Sequence, residues 1–373
     1  MLTEEATTMP GFRVTKPLIK VLIMCLFAFV TYGLGGVGVI LLMVFFSYLR
    51  IGKDDPNKHG ISTIRSSRLG GVAVLFVAAM YIFGLWAFSP YTPGVIREPI
   101  NMYMWISLFF ATLLGFCDDI RPDFLSPRLR MAFKFLIFGT FLWFWPQIIP
   151  TAVGIPLIDD VLGVPFLAWC LVTVFVVAFI NAFNMSDGAN GLVPGIGLAF
   201  FTIMFFEYGR PTEGVFLFAL TMFLIFNVIS GWFFLGDTGS YALGGMIVML
   251  GLRSISDGDF SVWFMVALVA YPCLDFVMSL VRRLIAGKSP FVADSEHFHN
   301  RLHGYLIGRV KSKVLANSLT GLLVSGFSAG VVVCIYLLGI LAPSDNGWMV
   351  IFFAEASVYV FCFWLLGRVA VAR

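Results

Sequence analysis

Charged side chains are scarce in this sequence of 373 residues, of which 12% are charged and 60% are hydrophobic. Soluble domains carry about 25% charged residues, so the composition excludes an ordinary water-soluble enzyme. It also excludes a disordered chain, which needs low hydrophobicity and high charge. The apolar runs are continuous and about 20 residues long, whereas a membrane barrel shows alternating segments of about 10 residues. The composition therefore predicts an all-α, polytopic integral membrane protein.

Paired cysteine motifs are also lacking. The six cysteines form no C-x-x-C pair and lie mostly inside apolar runs, which is typical of small buried side chains. We therefore expect no zinc site and no disulfide framework. The N-terminus carries Glu4 and Glu5 without an A-x-A site, so we expect no cleaved signal peptide. Internal repeats and low-complexity linkers are not apparent, and the sequence predicts one domain over residues 1–373.

Apolar windows predict eleven transmembrane helices. They lie at about residues 20–48, 69–88, 101–117, 131–150, 164–183, 190–208, 212–230, 241–256, 261–283, 315–341 and 347–369. The first window is long, and Gly33, Gly35 and Gly36 favour a break inside it.

Positive charge is distributed unevenly between the two sets of loops. One set holds 18 of the 24 Lys and Arg residues and all four histidines. Its segments are 50–68, 118–134, 184–189, 231–240, 282–314 and the C-terminal end. By the positive-inside rule this side is cytoplasmic. With eleven spans, the N-terminus is then outside and the C-terminus is cytoplasmic, and any chemistry should face the cytoplasm.

A pair of carboxylates ends the third apolar window, in the segment GFCDDIRPDFLSPRLR at residues 115–130. Adjacent acids such as Asp118 and Asp119 are costly at membrane depth unless a cation or a proton transfer uses them. One interpretation is a pair of interfacial acids balanced by nearby arginines such as Arg130. The other is a Mg²⁺–phosphate site.

A second polar cluster, INAFNMSDGANGL at residues 180–192, ends another apolar window. Asn181 and Asn184 share a helix face if the helix extends that far. Gly188 and Gly191 allow a tight turn with the backbone close to a ligand. Asparagine amides suit a nucleobase edge or a hard cation, although a polar turn between helices is the alternative.

A third cluster is FLGDTGSYALGG at residues 234–245. Backbone N–H groups at a helix start, together with Ser240, can bind an anion, and Asp237 can hold the metal that bridges it. A capped helix start is the alternative interpretation.

The longest polar segment contains H-x-H-x-R, formed by His297, His299 and Arg301. In an extended loop these alternate residues share one face, which suits a pyrophosphate. A basic loop facing anionic lipid is the alternative, as it is for the basic segment at residues 54–71. Together the clusters predict one shared site at the cytoplasmic interface, for anionic phosphates and a membrane lipid.

These motifs resemble, in the same order, those of the polyprenyl-phosphate N-acetylhexosamine-1-phosphate transferases, glycosyltransferase family 4. The main matches are DD at 118–119, NAFNMSDGANGL from 181, GDTGS from 236 and HFHNRL from 297. The shorter ones are DPN at 55–57, RLGG at 68–71 and SPF at 289–291. The resemblance covers about residues 50–304 and is strongest to the bacterial undecaprenyl-phosphate N-acetylglucosamine-1-phosphate transferases.

The resemblance implies transfer of a sugar 1-phosphate from a UDP-N-acetylhexosamine to undecaprenyl phosphate, with release of UMP. It implies a bacterial plasma-membrane enzyme that begins O-antigen, common-antigen or teichoic-acid linkage synthesis. The default sugar is N-acetylglucosamine, a homodimer is compatible with the resemblance, and no nucleic-acid partner is expected.

The resemblance also implies residue roles. Asp237 and Asn184 would be ligands of Mg²⁺, for which Mn²⁺ could substitute. Asp118 would meet the lipid phosphate as a base or an orienting group, and Asp119 would support it or the metal. Arg130 would hold phosphate.

The remaining implied roles concern the nucleotide sugar. His297, His299 and Arg301 would cover the pyrophosphate. Asp187 and Asn190 would face the nucleotide, with Asn181 supporting the turn.

The sequence departs from the family pattern at three places. Asn190 stands where many bacterial members carry aspartate, and Arg130 stands where some carry lysine. HFHN replaces the triple histidine of the peptidoglycan branch, which argues against UDP-muramoyl-pentapeptide as the donor.

Two other classes of protein compete with an enzyme. A transporter of anionic solutes predicts ionisable residues near the bilayer centre. Here the acids cluster at span ends on one side, and Asp275 and Glu355 are the exceptions. We expect Asp275 to pack helices or to support the site, and Glu355 suggests no role. A structural scaffold within a polysaccharide complex would not need carboxylate pairs on one side.

Overall fold

The computed structural model describes residues 7–9, 12–14, 16–48, 66–88, 99–121, 124–289 and 296–371. Most of the predicted loop at 50–68, with its DPN motif at 55–57, lies outside the described residues, as does most of the SPF motif at 289–291. Near the N-terminus, strands β1 (Thr7–Met9) and β2 (Phe12–Val14) pair antiparallel.

The rest of the described chain is dominated by fifteen α-helices. They are α1 (Lys16–Tyr48), α2 (Gly70–Phe88), α3 (Pro99–Ile120), α4 (Pro127–Phe144), α5 (Pro156–Leu162), α6 (Pro165–Met185), α7 (Leu192–Tyr208), α8 (Pro211–Ser230), α9 (Gly236–Ser256), α10 (Val262–Leu268), α11 (Ala270–Ile285), α12 (Phe298–Ile307), α13 (Lys313–Ser325), α14 (Val331–Leu337) and α15 (Trp348–Val371). A 3₁₀ turn at Pro146–Ile148 follows α4, and a π-helical turn at Gly326–Gly330 joins α13 to α14.

Serine side chains begin three of these helices. The hydroxyl oxygens of Ser126, Ser261 and Ser312 accept hydrogen bonds from backbone N–H groups in the first turns of α4, α10 and α13. Such a cap satisfies one of the N–H groups that a helix start leaves unpaired, and each is worth about 1 kcal/mol. In α4 the next residue is Pro127, whose missing N–H costs nothing at that position.

Each predicted apolar window overlaps a helix or a run of broken helices. The predicted break in the first window is confirmed, because Tyr32 (φ −138°) and Gly33 (φ 63°) leave the helical conformation inside α1. The positive φ at Gly33 falls in the left-handed region, which a residue without a Cβ adopts without steric cost.

The window at 261–283 is not the single straight helix that the sequence predicts. It contains α10 and α11, which are bent by 78° where they meet. Pro272 explains the position of the break, because it lacks the N–H that would bond to the carbonyl of Leu268.

Five helical segments are long and apolar enough to cross a membrane, and the bent α10–α11 pair brings the number to six. The five are Pro17–Tyr48, Pro165–Met185, Pro211–Ser230, Lys313–Leu337 and Trp348–Arg368. The described residues therefore form an α-helical membrane protein. Eleven spans, and the orientation of the two termini, stay predictions.

Helix α9 lies at the centre of the described bundle, where it packs against α2, α3, α6 and α7. Glycines bring the neighbouring backbones close to its first turn. A Cβ on Gly71 of α2 would clash with the backbone nitrogen of Gly239, and one on Gly115 of α3 would clash with the carbonyl oxygen of Asp237. The first turn of α9 is therefore enclosed by α2 and α3 at backbone contact.

We expect Gly71→Ala to lower the melting temperature in detergent by about 2–6 °C, because overpacking costs about 1–3 kcal/mol. Gly84→Ala is the matched control, because Gly84 lies in the same helix with open space around it. An unchanged melting temperature for Gly71→Ala would contradict the close contact between α2 and α9.

Candidate active site

Two carboxylates from distant parts of the chain cap the start of α9. Asp119 accepts hydrogen bonds at Oδ1 from the N–H of Asp237 (2.9 Å) and at Oδ2 from the N–H (2.8 Å) and hydroxyl (2.6 Å) of Thr238. Asp187 Oδ2 accepts from the N–H of Gly236 at 2.9 Å. The first N–H groups of a helix have no partner inside it, and its dipole favours negative charge there. These two aspartates therefore anchor the turn that carries Asp237.

Helical spacing explains how Asp119 reaches this turn. Gly115 and Asp119 are four residues apart and so lie on one face of α3. Because Gly115 has no side chain, that face meets the backbone at Asp237. Gly236 has a φ of 70°, and a Cβ on it would clash with the carbonyl oxygen of Arg68 and lie 2.7 Å from Asp119 Oδ2.

Asp187 lies in the turn between α6 and α7. Burial raises the pKa of its carboxyl well above the ordinary value, and the hydrogen bond from Gly236 opposes that shift. Burial is the larger of the two effects, and the contact that Asp187 makes with α9 is with the protein backbone. Its predicted role of facing the nucleotide stays a prediction.

Arg130 of α4 connects the other two carboxylates. Its Nη1 contacts Asp118 Oδ2 in a short ion pair and lies 3.4 Å from Asp237 Oδ2. Asp237 Oδ2 also accepts a hydrogen bond from the hydroxyl of Tyr241 at 3.3 Å. The structure thus brings Asp118, Asp119, Asp237 and Arg130 together, as the shared-site prediction requires.

The carboxylates of Asp118, Asp119 and Asp237 differ in their exposure to solvent. Asp119 is fully buried and all its bonds go to α9, whereas 17% of the Asp237 side chain is exposed. Asp118 Oδ1 is buried and has no hydrogen-bond partner among the described residues. An unpaired buried oxygen of this kind is costly, so it marks a place for a cation or a donor group.

Lys134 is a site residue that the motif analysis missed. Its Nζ donates to Asn181 Oδ1 at 2.6 Å and lies 3.7 Å from the ring centre of Tyr241. The side chain is buried, one helical turn beyond Arg130 on the same face of α4. The signal was present in the sequence, because a lysine inside an apolar run is expected to face the protein interior.

The two asparagines of α6 contact different neighbours of the site. Helix α6 continues to Met185, so Asn181 and Asn184 share a face as predicted. Asn181 contacts Lys134 of α4, whereas Asn184 Oδ1 accepts from the hydroxyl of Ser240 at 2.7 Å. Asn184 is therefore placed beside the first turn of α9, next to Asp237.

Asn190 makes its hydrogen bonds with residues of the protein. It is buried; its Nδ2 donates to Ser318 Oγ (3.2 Å) and its Oδ1 accepts from Asn227 Nδ2 (3.3 Å). Its backbone N–H donates to Asn317 Oδ1 at 2.7 Å. An amide can donate and accept at once, so this network satisfies it without a ligand. Asn190 therefore ties the turn at 186–191 to α8 and α13, and its predicted nucleotide-facing role stays a prediction.

The prediction that His297, His299 and Arg301 share one face rested on an extended loop, and it is wrong for Arg301. Residues from Phe298 onward form α12, in which positions two apart point in different directions. His297 and His299 still stack, with ring centres 5.5 Å apart and planes 2° apart.

Arg301 turns towards α15 instead. Its Nη2 bonds to Glu296 Oε2 at 2.8 Å, its Nη1 donates to the carbonyl of Phe363 at 3.3 Å, and its guanidinium lies 4.0 Å from the Phe363 ring centre. These contacts hold α12 against the C-terminal helix. The predicted contact of Arg301 with pyrophosphate has no support from this position.

His299 packs against the asparagine-rich turn. Its Nδ1 shares a hydrogen bond with the hydroxyl of Tyr271 at 2.7 Å, and a Cβ on Gly188 would lie 2.5 Å from its Nε2. Burial lowers the pKa of His299 to about 4, so the imidazole is neutral at pH 7. It contributes shape to this turn and no positive charge to a phosphate site.

The two acids outside the clusters have different surroundings. Asp275 supports the site, since its Oδ2 bonds to His297 Nδ1 at 2.6 Å. Glu355 in α15 has both carboxylate oxygens buried without a hydrogen-bond partner among the described residues.

Comparisons with known proteins find a matching family model and curated relatives. A family model described as Glycosyl transferase family 4 matches residues 101–255, a range that runs from α3 to α9 and includes all the carboxylates of the site. Curated relatives named phospho-N-acetylmuramoyl-pentapeptide-transferase are similar over more of the chain.

The relative from Latilactobacillus sakei is 27% identical over 295 residues, which cover 73% of this chain and 89% of the relative. The one from Lacticaseibacillus paracasei is 25% identical over 292 residues, 72% and 87% of the two chains. The one from Staphylococcus aureus is 27% identical over 228 residues, 56% and 69% of the two chains.

The fold and the site thus define an α-helical membrane enzyme that transfers a phosphate-containing group. The chain is similar to glycosyl transferase family 4 over residues 101–255, and the resemblance to the polyprenyl-phosphate hexosamine-1-phosphate transferases is confirmed.

We expect Asp119→Asn to destabilise the fold, because an amide nitrogen would face an N–H group of α9 and leave it unpaired. The cost is about 1–3 kcal/mol, or about 2–6 °C in melting temperature. Asp257→Asn is the matched control at the other end of α9, where the side chain is exposed and pairs with Arg253. Equal melting temperatures for the two variants would refute the capping role of Asp119.

Proposed function

We propose that the enzyme transfers N-acetylhexosamine 1-phosphate from a UDP-sugar to undecaprenyl phosphate and releases UMP, with UDP-N-acetylglucosamine as the default donor. The observation that carries the proposal is the meeting of Asp118, Asp237 and Arg130 at the first turn of α9. The match to the family model and the names of the relatives support a phosphosugar transferase with these substrate classes.

In the proposed reaction an oxygen of the lipid phosphate attacks the β-phosphorus of the UDP-sugar. The bond from that phosphorus to the bridging oxygen breaks, and UMP leaves with that oxygen. One phosphoanhydride replaces another, so catalysis is mostly positioning and neutralisation of charge. A phosphomonoester has a second pKa of about 6, so the lipid phosphate is mostly doubly ionised at pH 7. Asp118 is then needed to orient this phosphate more than to deprotonate it.

The positive side chains fit this chemistry. Nη1 of Arg130 already contacts two carboxylates at the site, and a planar guanidinium can also pair with phosphate oxygens through two N–H groups. Lys134 lies one helical turn further along α4, with its Nζ 3.7 Å from the ring centre of Tyr241.

Mg²⁺ is part of the proposal, with Asp237 as its first ligand and Asn184 as its second. In the described ranges no group of three or more His, Cys, Asp or Glu side chains is arranged for a metal. Mg²⁺ is often bound by one or two carboxylates plus substrate phosphates, however. Asp237 and the unpartnered Oδ1 of Asp118 supply hard oxygen donors of that kind. Bound there, the ion would neutralise charge on the diphosphate.

The names of the relatives favour an alternative donor, because these proteins are named phospho-N-acetylmuramoyl-pentapeptide-transferase. The HFHN segment at residues 297–300 argues for the smaller N-acetylhexosamine. As part of the same proposal, the enzyme lies in the bacterial inner membrane, faces the cytoplasm, and begins a cell-surface polysaccharide. A transporter is disfavoured because the carboxylates gather at helix ends.

The decisive assay measures UMP release by purified protein with undecaprenyl phosphate, Mg²⁺ and a panel of UDP-sugars that includes UDP-muramoyl-pentapeptide. We expect release that requires both the lipid and Mg²⁺, with an N-acetylhexosamine donor. Release of UMP with UDP-muramoyl-pentapeptide alone would make that compound the donor in place of a UDP-N-acetylhexosamine. No release with any donor would refute the proposed reaction.

Asp237→Asn should lower kcat/KM by about 100-fold or more and weaken the Mg²⁺ dependence, because it removes a charged oxygen donor at the diphosphate. Asp257→Asn, at the C-terminal cap of the same helix and at its opposite end from Asp237, should retain full activity. If Asp237→Asn keeps activity within a few-fold of the unsubstituted enzyme, the metal assignment is wrong.

A further inference from the structure

His297 is held by a buried carboxylate that no motif of the sequence includes. Asp275 lies in α11, 3% exposed, and its Oδ2 accepts a hydrogen bond from His297 Nδ1 at 2.6 Å. His297 itself is 6% exposed. A buried carboxylate is expensive unless it is paired and hydrogen-bonded, so its presence here requires an explanation.

The second oxygen of Asp275 is also fully used. Oδ1 accepts from the backbone N–H of Phe298 at 2.9 Å and from the hydroxyl of Tyr359 at 2.8 Å. These donors come from α12 and α15, so three helices meet at one carboxylate. The Tyr359 hydroxyl donates to this oxygen, and the bond fixes the angle at which Asp275 meets the histidine.

This arrangement determines which ring nitrogen of His297 is available. With Nδ1–H bound to the carboxylate, Nε2 is the nitrogen left for a ligand. Stacking on His299 fixes the ring plane, and His299 lies against Gly188 in the turn at 186–191. His297 is thus oriented relative to the same turn that carries Asp187.

An apolar side chain at position 275 could pack α11 against α12 and α15 without the cost of burying a charge. The carboxylate gives what an apolar group cannot, which is a fixed tautomer and a fixed direction for the imidazole. Carboxylate–histidine pairs orient a histidine for a ligand in this way at many sites, and losing such a partner typically costs about 10–100-fold in function.

We propose that Asp275 and Tyr359 are positioning residues that hold His297 with its Nε2 presented to the diphosphate of the nucleotide-sugar donor. The identity of the donor rests on the proposed function, whereas the positioning rests on the hydrogen bonds of Asp275.

The first test is a double-mutant cycle read as kcat/KM for the donor. We expect Asp275→Asn to lower it about 10–100-fold, and His297→Ala to lower it by a similar factor. In the His297→Ala background, Asp275→Asn should then cost less than about 3-fold, because its target is gone. An equal loss in both backgrounds would mean that Asp275 only stabilises the fold, and it would overturn the proposal.

Tyr359→Phe removes one of the two donors to Asp275 Oδ1 and should cost about 3–10-fold, again only when His297 is present. Two matched controls should retain full activity. Glu355→Gln alters a buried carboxylate one turn away in the same helix, and Tyr336→Phe removes a hydroxyl that bonds to Glu207 instead. A loss in Glu355→Gln equal to that in Tyr359→Phe would contradict a specific effect on His297.

A second readout does not depend on turnover. The chain has four histidines, so NMR of ¹⁵N-histidine-labelled protein in detergent can assign His297 by its loss in His297→Ala. We expect a low-field Nδ1–H proton for His297 that moves upfield in Asp275→Asn. An unchanged signal in Asp275→Asn would overturn the positioning.

Calorimetric measurement of UDP binding separates a failure of the proposed reaction from a failure of the proposed positioning of His297. If the protein binds UDP but turns over no donor, the proposed reaction fails, while the same cycle on the UDP dissociation constant still decides the positioning. If the cycle in UDP affinity is non-additive, Asp275 acts through His297, and if it is additive, the positioning fails. Absence of UDP binding by the unsubstituted protein would overturn both.

Discussion

The arrangement of the site depends on the capping of the first turn of α9 by Asp119 and Asp187. A helix start buried inside a membrane protein leaves N–H groups that water cannot reach, and these two carboxylates satisfy three of them. Because the donors include the N–H of Asp237 itself, the capping fixes the residue that the proposed function places at the metal. The same bonds connect α3, α6 and α9 at one point.

Charge balance follows from this anchor. Capping brings the adjacent Asp118 and Asp119 beside Asp237, and carboxylates this close stay ionised together only with a compensating cation. Arg130 of α4 supplies that cation, and Lys134 lies one helical turn further along the same face. The result is a compact set of opposite charges at helix ends, already oriented before a polyanionic substrate arrives. Such preorganisation is the feature that phosphoryl transfer requires most.

The histidine segment shows how neighbouring residues in the sequence can take different tasks. His299 is neutral and fills the space beside Gly188, Arg301 holds α12 against α15, and His297 is directed by Asp275. Helix α15 contributes to this region through Tyr359 and Phe363, although it follows the last recognised motif by about 50 residues. The C-terminal helix therefore belongs to the site's support and does more than cross the membrane.

The sequence alone determined the helices. A chain in lipid must satisfy its backbone hydrogen bonds within each segment, so a long apolar run indicates a helix. It also predicted the break at Gly33 and the family, since motif order needs no coordinates. The tertiary structure decided the 78° bend before Pro272, the inward position of Lys134, the network around Asn190 and the direction of Arg301. Each of these depends on which distant side chain supplies the complementary donor, acceptor or ring, and only packing between helices brings those partners within reach.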